Sequence, residues 1–142
     1  MKKKHLFAIL ALFMTAFIFW NSARPAMESA QSSGRFVVLL DKLLLYFGVH
    51  IDYDAMQKIV RKAAHIAEFL VQAMLVAGSF SGKYRKRIVY ILFFGLLTAC
   101  TDEYIQIFSD GRAGLIGDIF IDFSGTAVGA AACGIFRKTG KW

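Results

Sequence analysis

The sequence predicts an all-α integral membrane four-helix bundle, with N and C termini cytoplasmic and an interfacial amphipathic helix between the first and second spans. Three observations carry that prediction. The chain is 57% hydrophobic and only 19% charged, an apolar excess over the roughly 45–50% usual in soluble chains. Its basic residues gather in short blocks beside apolar runs, as they do at the cytoplasmic flanks of membrane helices. The ionisable groups inside those runs all fall in one half of the bundle once the runs are threaded. At 142 residues the chain fits a single domain, 1–142. Its hydrophobicity excludes a disordered polypeptide. The formal charge of +7 does not indicate nucleic acid, because no basic stripe alternates with polar helix faces.

Residues 6–23 carry no charge over 18 positions, enough for one span. Lys2 to Lys4 precede this segment, as in a secretory signal. Cleavage needs small residues at both −3 and −1, however, and cuts after Ala23 or Ala26 place Asn21 or Arg24 at −3. An uncleaved anchor is expected. The remaining segments, 69–82, 88–101 and 123–136, are each 14 uncharged residues, a length that a buried soluble helix also shows. They reach spanning length as 59–80, 88–108 and 118–137 if one end of each carries polar groups. With the first helix starting inside, Lys83, Arg85, Lys86, Arg87, Arg137, Lys138 and Lys141 join Lys2 to Lys4 on the inner side. That side then holds ten of the 17 Lys and Arg. The outer connection contains FVVLLDKLLLYF at 36–47, charged only at Asp41 and Lys42. This stretch is expected to lie in the outer interface or to form a lid. Gly48 and the turn-like 50–54 stretch close it, with His50 as a solvated or interfacial residue. Cys100 and Cys133 lie in different apolar runs at different depths, which argues against a disulfide.

In this topology Arg61, Lys62, His65 and Glu68 occupy the outer half of the second span. Arg61, His65, Glu68 and Gln72 are spaced 4, 3 and 4, and at ~100° per residue they share one face. Asp102, Glu103 and Gln106 end the third span, with Thr98, Asp102 and Gln106 in line. Asp110 and Arg112 follow in the loop. Asp118, Asp122, Gly125 and Gly129 share a face of the fourth span. A carboxylate at membrane depth costs at least ~2.5 kcal/mol unless it meets a cavity or a partner, so these stripes predict a polar pocket. Two readings stand side by side. The groups satisfy one another as ion pairs, such as Arg61 with Asp102 or Arg112 with Asp118, or they bind or transform something arriving from the outer face. His65 is either a hydrogen-bonded core histidine or, three residues from Glu68, an acid-base or metal-binding group. The small-xxx-small pattern of Gly125 and Gly129 serves close packing within the monomer or a dimer seam.

Three ordered blocks resemble the motifs of the VanZ-like family, named after the teicoplanin resistance protein VanZ. They are Arg61-Lys62-x-x-His65-x-x-Glu68-Phe69, Asp102-Glu103-x-x-Gln106-x-Phe108-x-x-Gly111-Arg112, and Asp118-x-x-x-Asp122-x-x-Gly125-x-x-x-Gly129. Trp20-Asn-Ser-Ala-Arg-Pro25 is a weaker echo. Phe69, Asp110 and Asp122 stand where the family often has tyrosine, proline and asparagine, so no role for a hydroxyl at 69 or an amide at 122 carries over. The resemblance implies a multi-pass protein of the bacterial cytoplasmic membrane, associated in some members with lowered sensitivity to glycopeptide antibiotics. It supplies no reaction.

Two functions are therefore expected to compete. In the first, the pocket engages a cell-wall precursor or lipid headgroup at the outer leaflet. Arg61, Lys62 and Arg112 then meet phosphate or carboxylate, and Gln106, Asp118 and Asp122 complete the binding set. In the second, the protein is a membrane-embedded enzyme acting on a lipid-linked substrate. His65 and Glu68 then form the acid-base pair, and Asp102, Glu103, Asp118 and Asp122 hold a divalent cation. A transporter would show broken helices and inverted repeats, and neither is visible.

Overall fold

The structure is a computed structural model describing residues 2–80 and 84–138. The inner-side residues Lys83 and Lys141 lie outside the described residues, as do the side chains of Lys2, Arg85, Arg137 and Lys138. Five α-helices and one 3-10 turn make up the described chain, with no strand. Helix α1 runs over Lys2–Ser22, α2 over Ala26–Tyr46, α3 over Tyr53–Ser79, α4 over Ile88–Gln106 and α5 over Ile116–Lys138, with the 3-10 turn at Tyr84–Lys86.

The helix boundaries have local causes. Pro25 stands at the N-cap of α2 with φ −53° and ψ 147°, an extended conformation that separates α2 from α1. The amphipathic helix expected at 36–47 therefore begins ten residues earlier in the chain. The polar stretch after Pro25 carries no apolar periodicity to announce it. Helix α2 stops at Phe47 and Gly48, whose N–H groups bond the carbonyls of Leu44 and Leu45. Gly48 has φ +74°, a conformation that suits glycine. The Asp52 carboxylate caps α3 by accepting from the N–H groups of Asp54 and Ala55, so α3 starts before residue 59. It contains 27 residues, about 40 Å at 1.5 Å per residue.

Among the described residues, three helices are long and apolar enough to cross a membrane: Lys3–Ser22, Ile88–Gln106 and Ile116–Phe136. Helix α3 is not one of them, because Lys58, Arg61, Lys62, His65 and Glu68 occupy its first 16 residues. It nevertheless forms the centre of the molecule and packs against α1, α2, α4 and α5.

The contact of α3 with α5 is set by small residues. A Cβ added at Gly125 would overlap the carbonyl of Ile66, and one at Gly129 would overlap that of Leu70. The two glycines thus serve packing within the chain, bringing two backbones together. Ala11, Ala73, Val76, Ala77, Ile91, Ala130 and Cys133 form an apolar core at one end of this contact. There the Tyr84 hydroxyl donates to the Ala130 carbonyl.

Polarity is distributed inside out relative to a soluble protein. Phe13, Phe93 and Phe120 are 70%, 65% and 69% exposed, while Asp102 and Asp122 are 0% and 2% exposed. A protein surrounded by lipid has this arrangement, since apolar side chains can face hydrocarbon while ionisable groups must face one another.

Candidate functional site

The buried polar groups collect where the end of α1, the first half of α3, the end of α4 and the start of α5 meet. Asn21 Nδ2 donates to Glu68 Oε1 at 3.0 Å, tying α1 to α3. Lys62 Nζ donates to Asp118 Oδ1 at 2.7 Å, tying α3 to α5. Ser109 Oγ donates to the Ser22 carbonyl at 2.9 Å, tying the loop after α4 to α1. One layer further in, Gln72 Nε2 donates to Thr15 Oγ1 at 2.8 Å and to Thr98 Oγ1 at 3.3 Å. That bridge joins α1, α3 and α4.

Most of the residues expected to form the site come together, with different partners from those expected. Arg61 does not pair with Asp102, nor Arg112 with Asp118. Among the described residues, neither arginine has a carboxylate within ion-pair distance. Lys62 takes Asp118 because it lies about 100° around α3 from Arg61, on the side that faces α5. Arg112 Nη2 donates to the Asn21 carbonyl at 3.4 Å, while its Nε and Nη1 are buried without partners. Burial, reinforced by the neighbouring Arg61 charge, pulls the Arg112 guanidinium below its ordinary pKa. Asp110 is exposed and stands outside the cluster.

The carboxylates separate into three environments. Glu103 is held at both oxygens: Gln106 Nε2 donates to Oε1 at 3.1 Å and the Leu115 N–H to Oε2 at 2.7 Å. Glu68 is held by Asn21 on one oxygen, and its Oε2 is buried without a partner. Asp102 and Asp122 lie beside His65, whose Nδ1 is 3.8 Å from Asp102 Oδ2 and 3.6 Å from Asp122 Oδ1. The nearest acidic neighbours of His65 in ion-pair range are therefore these two aspartates rather than Glu68. Gln106 Nε2 also donates to Asp102 Oδ2, at 2.9 Å.

A cleft of about 700 Å³ opens between α1, α2 and α3. Phe17, Phe36, Leu39, Leu40, Leu43 and Ile59 line its apolar length, and Asn21, Arg24, Arg61, His65 and Glu68 line its polar part. Arg24 stacks over Trp20 at 5.3 Å and donates to Ser32 Oγ. On the other side of His65, a pocket of about 10 Å³ is bounded by Arg61, Lys62, Gln106, Asp118 and Asp122. Arg61 and His65 thus border both spaces. Asn21 is a site residue that sequence reasoning misses, and its only signal there is its place in the Trp20-Asn-Ser-Ala stretch.

The VanZ/LLP1 family model matches residues 7–137. No curated protein and no solved structure matches the chain.

Proposed function

The chain belongs to the VanZ/LLP1 family, and from that premise we propose that it is a multi-pass protein of the bacterial cytoplasmic membrane that holds an anionic, lipid-linked headgroup at the outer leaflet. In this reading α1, α3, α4 and α5 span the bilayer as one domain, both termini are cytoplasmic, and α2 lies in the outer interface. The length of α3 and the inner-side excess of Lys and Arg support that threading. The engaged molecule is a lipid or a lipid-linked cell-wall precursor, and its capture lowers sensitivity to glycopeptide antibiotics such as teicoplanin.

One observation carries the reading. The α1–α2–α3 cleft is mostly apolar and includes Arg61 in its polar lining, a half-buried cation without a carboxylate partner among the described residues. An acyl or isoprenoid chain fits the apolar part, and a phosphate satisfies the guanidinium by two parallel hydrogen bonds.

Purified protein in detergent, titrated with phosphatidylglycerol or with phosphatidylcholine of the same acyl chains, tests this by native mass spectrometry. Preferential retention of phosphatidylglycerol is expected, with the preference lost in Arg61→Gln and all retention reduced in Ala64→Phe, which fills the cleft. Equal retention of the two lipids by the wild type, or a preference that survives Arg61→Gln, would overturn the proposal.

A further inference from the structure

His65 Nδ1 and Asp122 Oδ2 are buried and have no hydrogen-bond partner among the described residues, and the Asp102 carboxylate has the Ser22 hydroxyl as a neighbour. The two aspartates are at most 2% exposed, so bulk water does not reach their carboxyl groups. Their approach to His65, at 3.8 and 3.6 Å, is too long for an N–H···O hydrogen bond, which ends near ~3.2 Å. It does suit three atoms sharing a small ion. A tetrahedral zinc with bonds of about 2.0–2.2 Å sets its ligand atoms about 3.3–3.6 Å apart. One ligand atom from each of His65, Asp102 and Asp122 lies within 4.8 Å of the others, so small rotations of the carboxylates close the remaining gap.

Three further features fit an ion. The adjoining pocket of about 10 Å³, bordered by His65 and Asp122 and also by Arg61 and Lys62, has room for about one water, too small for a headgroup. The Gln106 amide holds the Asp102 carboxylate in place, as groups behind metal ligands commonly do. The three residues come from α3, α4 and α5, so an ion would join these three helices, with His65 on the helix that also borders the lipid cleft.

We propose that His65, Asp102 and Asp122 form a binding site for a single divalent transition cation of the zinc class. One imidazole and two carboxylates make a borderline donor set that suits Zn2+, with Mn2+ as its competitor. Three protein ligands leave a fourth position for water or a substrate oxygen. The site stands independently of the lipid reading, since none of the three side chains need touch a lipid for the cation to bind.

The test is cobalt titration of the full chain, purified in detergent and stripped with a chelator. The expected result is one Co2+ per chain, a visible d–d absorption band, and loss of the band when Zn2+ is added. Asp122→Asn and His65→Gln should weaken binding at least tenfold, while Asp110→Asn, which is exposed and outside the cluster, should keep the band. Melting of the wild-type protein is a second measurement that does not depend on folded variants, and Zn2+ should raise it. Absence of the band together with unchanged melting would overturn the site. A band of equal strength in the wild type and both ligand variants would overturn it equally.

Discussion

Lys62 Nζ lies 2.7 Å from Asp118 Oδ1 and joins the first half of α3 to the first turn of α5. The two ends of this pair are unequal. The Lys62 side chain is 41% exposed and that of Asp118 16%, so a released lysine regains water. Asp118 also sits where the N-terminal dipole of α5 favours a negative charge. The pair itself contributes about 0.2–1 kcal/mol, as partly exposed ion pairs do, and the helix terminus adds about 0.3–1 kcal/mol for the carboxylate alone. Asp118→Asn should therefore lower the melting temperature in detergent more than Lys62→Gln does. Equal losses would mean that α5 gains nothing from a charge at its start.

Glycine substitutions in α5 should divide by sign. At Gly125 even a methyl group would overlap the Ile66 carbonyl, and backbone cannot step aside as a side-chain tip can. Gly125→Ala should cost about 1–3 kcal/mol through overpacking. A methyl group added at Gly117 would meet nothing within 4 Å. Gly117→Ala should therefore stabilise by about 0.4–1 kcal/mol by restricting the unfolded chain. Thermal melting of both variants checks the contrast, and similar behaviour at the two positions would contradict the close α3–α5 approach.

The proposed threading places the loop after α4 outside and the 3-10 turn inside. Ser109 is a poor reporter, since its side chain is buried and bonded to the Ser22 carbonyl. Asp110 and Lys86 are exposed and serve better. In a background lacking Cys100 and Cys133, a membrane-impermeant thiol reagent should label Asp110→Cys in intact cells. Lys86→Cys should react only after permeabilisation. The reverse pattern would invert the protein and place the polar layer at the cytoplasmic face.

Glu68 separates structure from function in the polar layer. Glu68→Gln retains a side-chain carbonyl that can accept from Asn21 Nδ2, so membrane abundance should be unchanged. Glu68→Ala leaves that amide without its partner, which costs about 1–3 kcal/mol for a buried polar group, and abundance should fall. If the carboxylate serves the proposed function, Glu68→Gln abolishes the teicoplanin phenotype at full abundance in a host where the wild type confers one. Retention of the phenotype would assign Glu68 to holding α1 against α3.

The polar faces are readable in the sequence, but their pairings are not. Spacing alone puts Arg61, His65, Glu68 and Gln72 on one side of α3, and in the fold they border its neighbours α1, α4 and α5. Periodicity gives the angle of a residue around its own helix, not the rotation of that helix against the next. That is why Lys62, rather than Arg61, meets the start of α5. The early start of α2 is hidden for another reason: residues 26–35 combine small, polar and charged side chains without an apolar stripe, and their helix is fixed by Pro25 and by tertiary contacts. Asn21 is nearly silent because its partner Glu68 is 47 residues away, and only its place in the Trp20-Asn-Ser-Ala stretch marks it.

The Ser109–Ser22 hydrogen bond closes a loop of 87 residues, and the Ala26 N–H bonds the Asp110 carbonyl beside it. Both contacts need the loop after α4 to be on the same side of the membrane as the start of α2. A ribosome adding about 5–20 residues per second takes roughly 4–17 s to make that stretch. Throughout this interval α2 has emerged without its contact to the loop after α4. The order of synthesis therefore lets α2 meet α3 first and makes the tie between its N-terminus and the loop after α4 the last of its contacts to form.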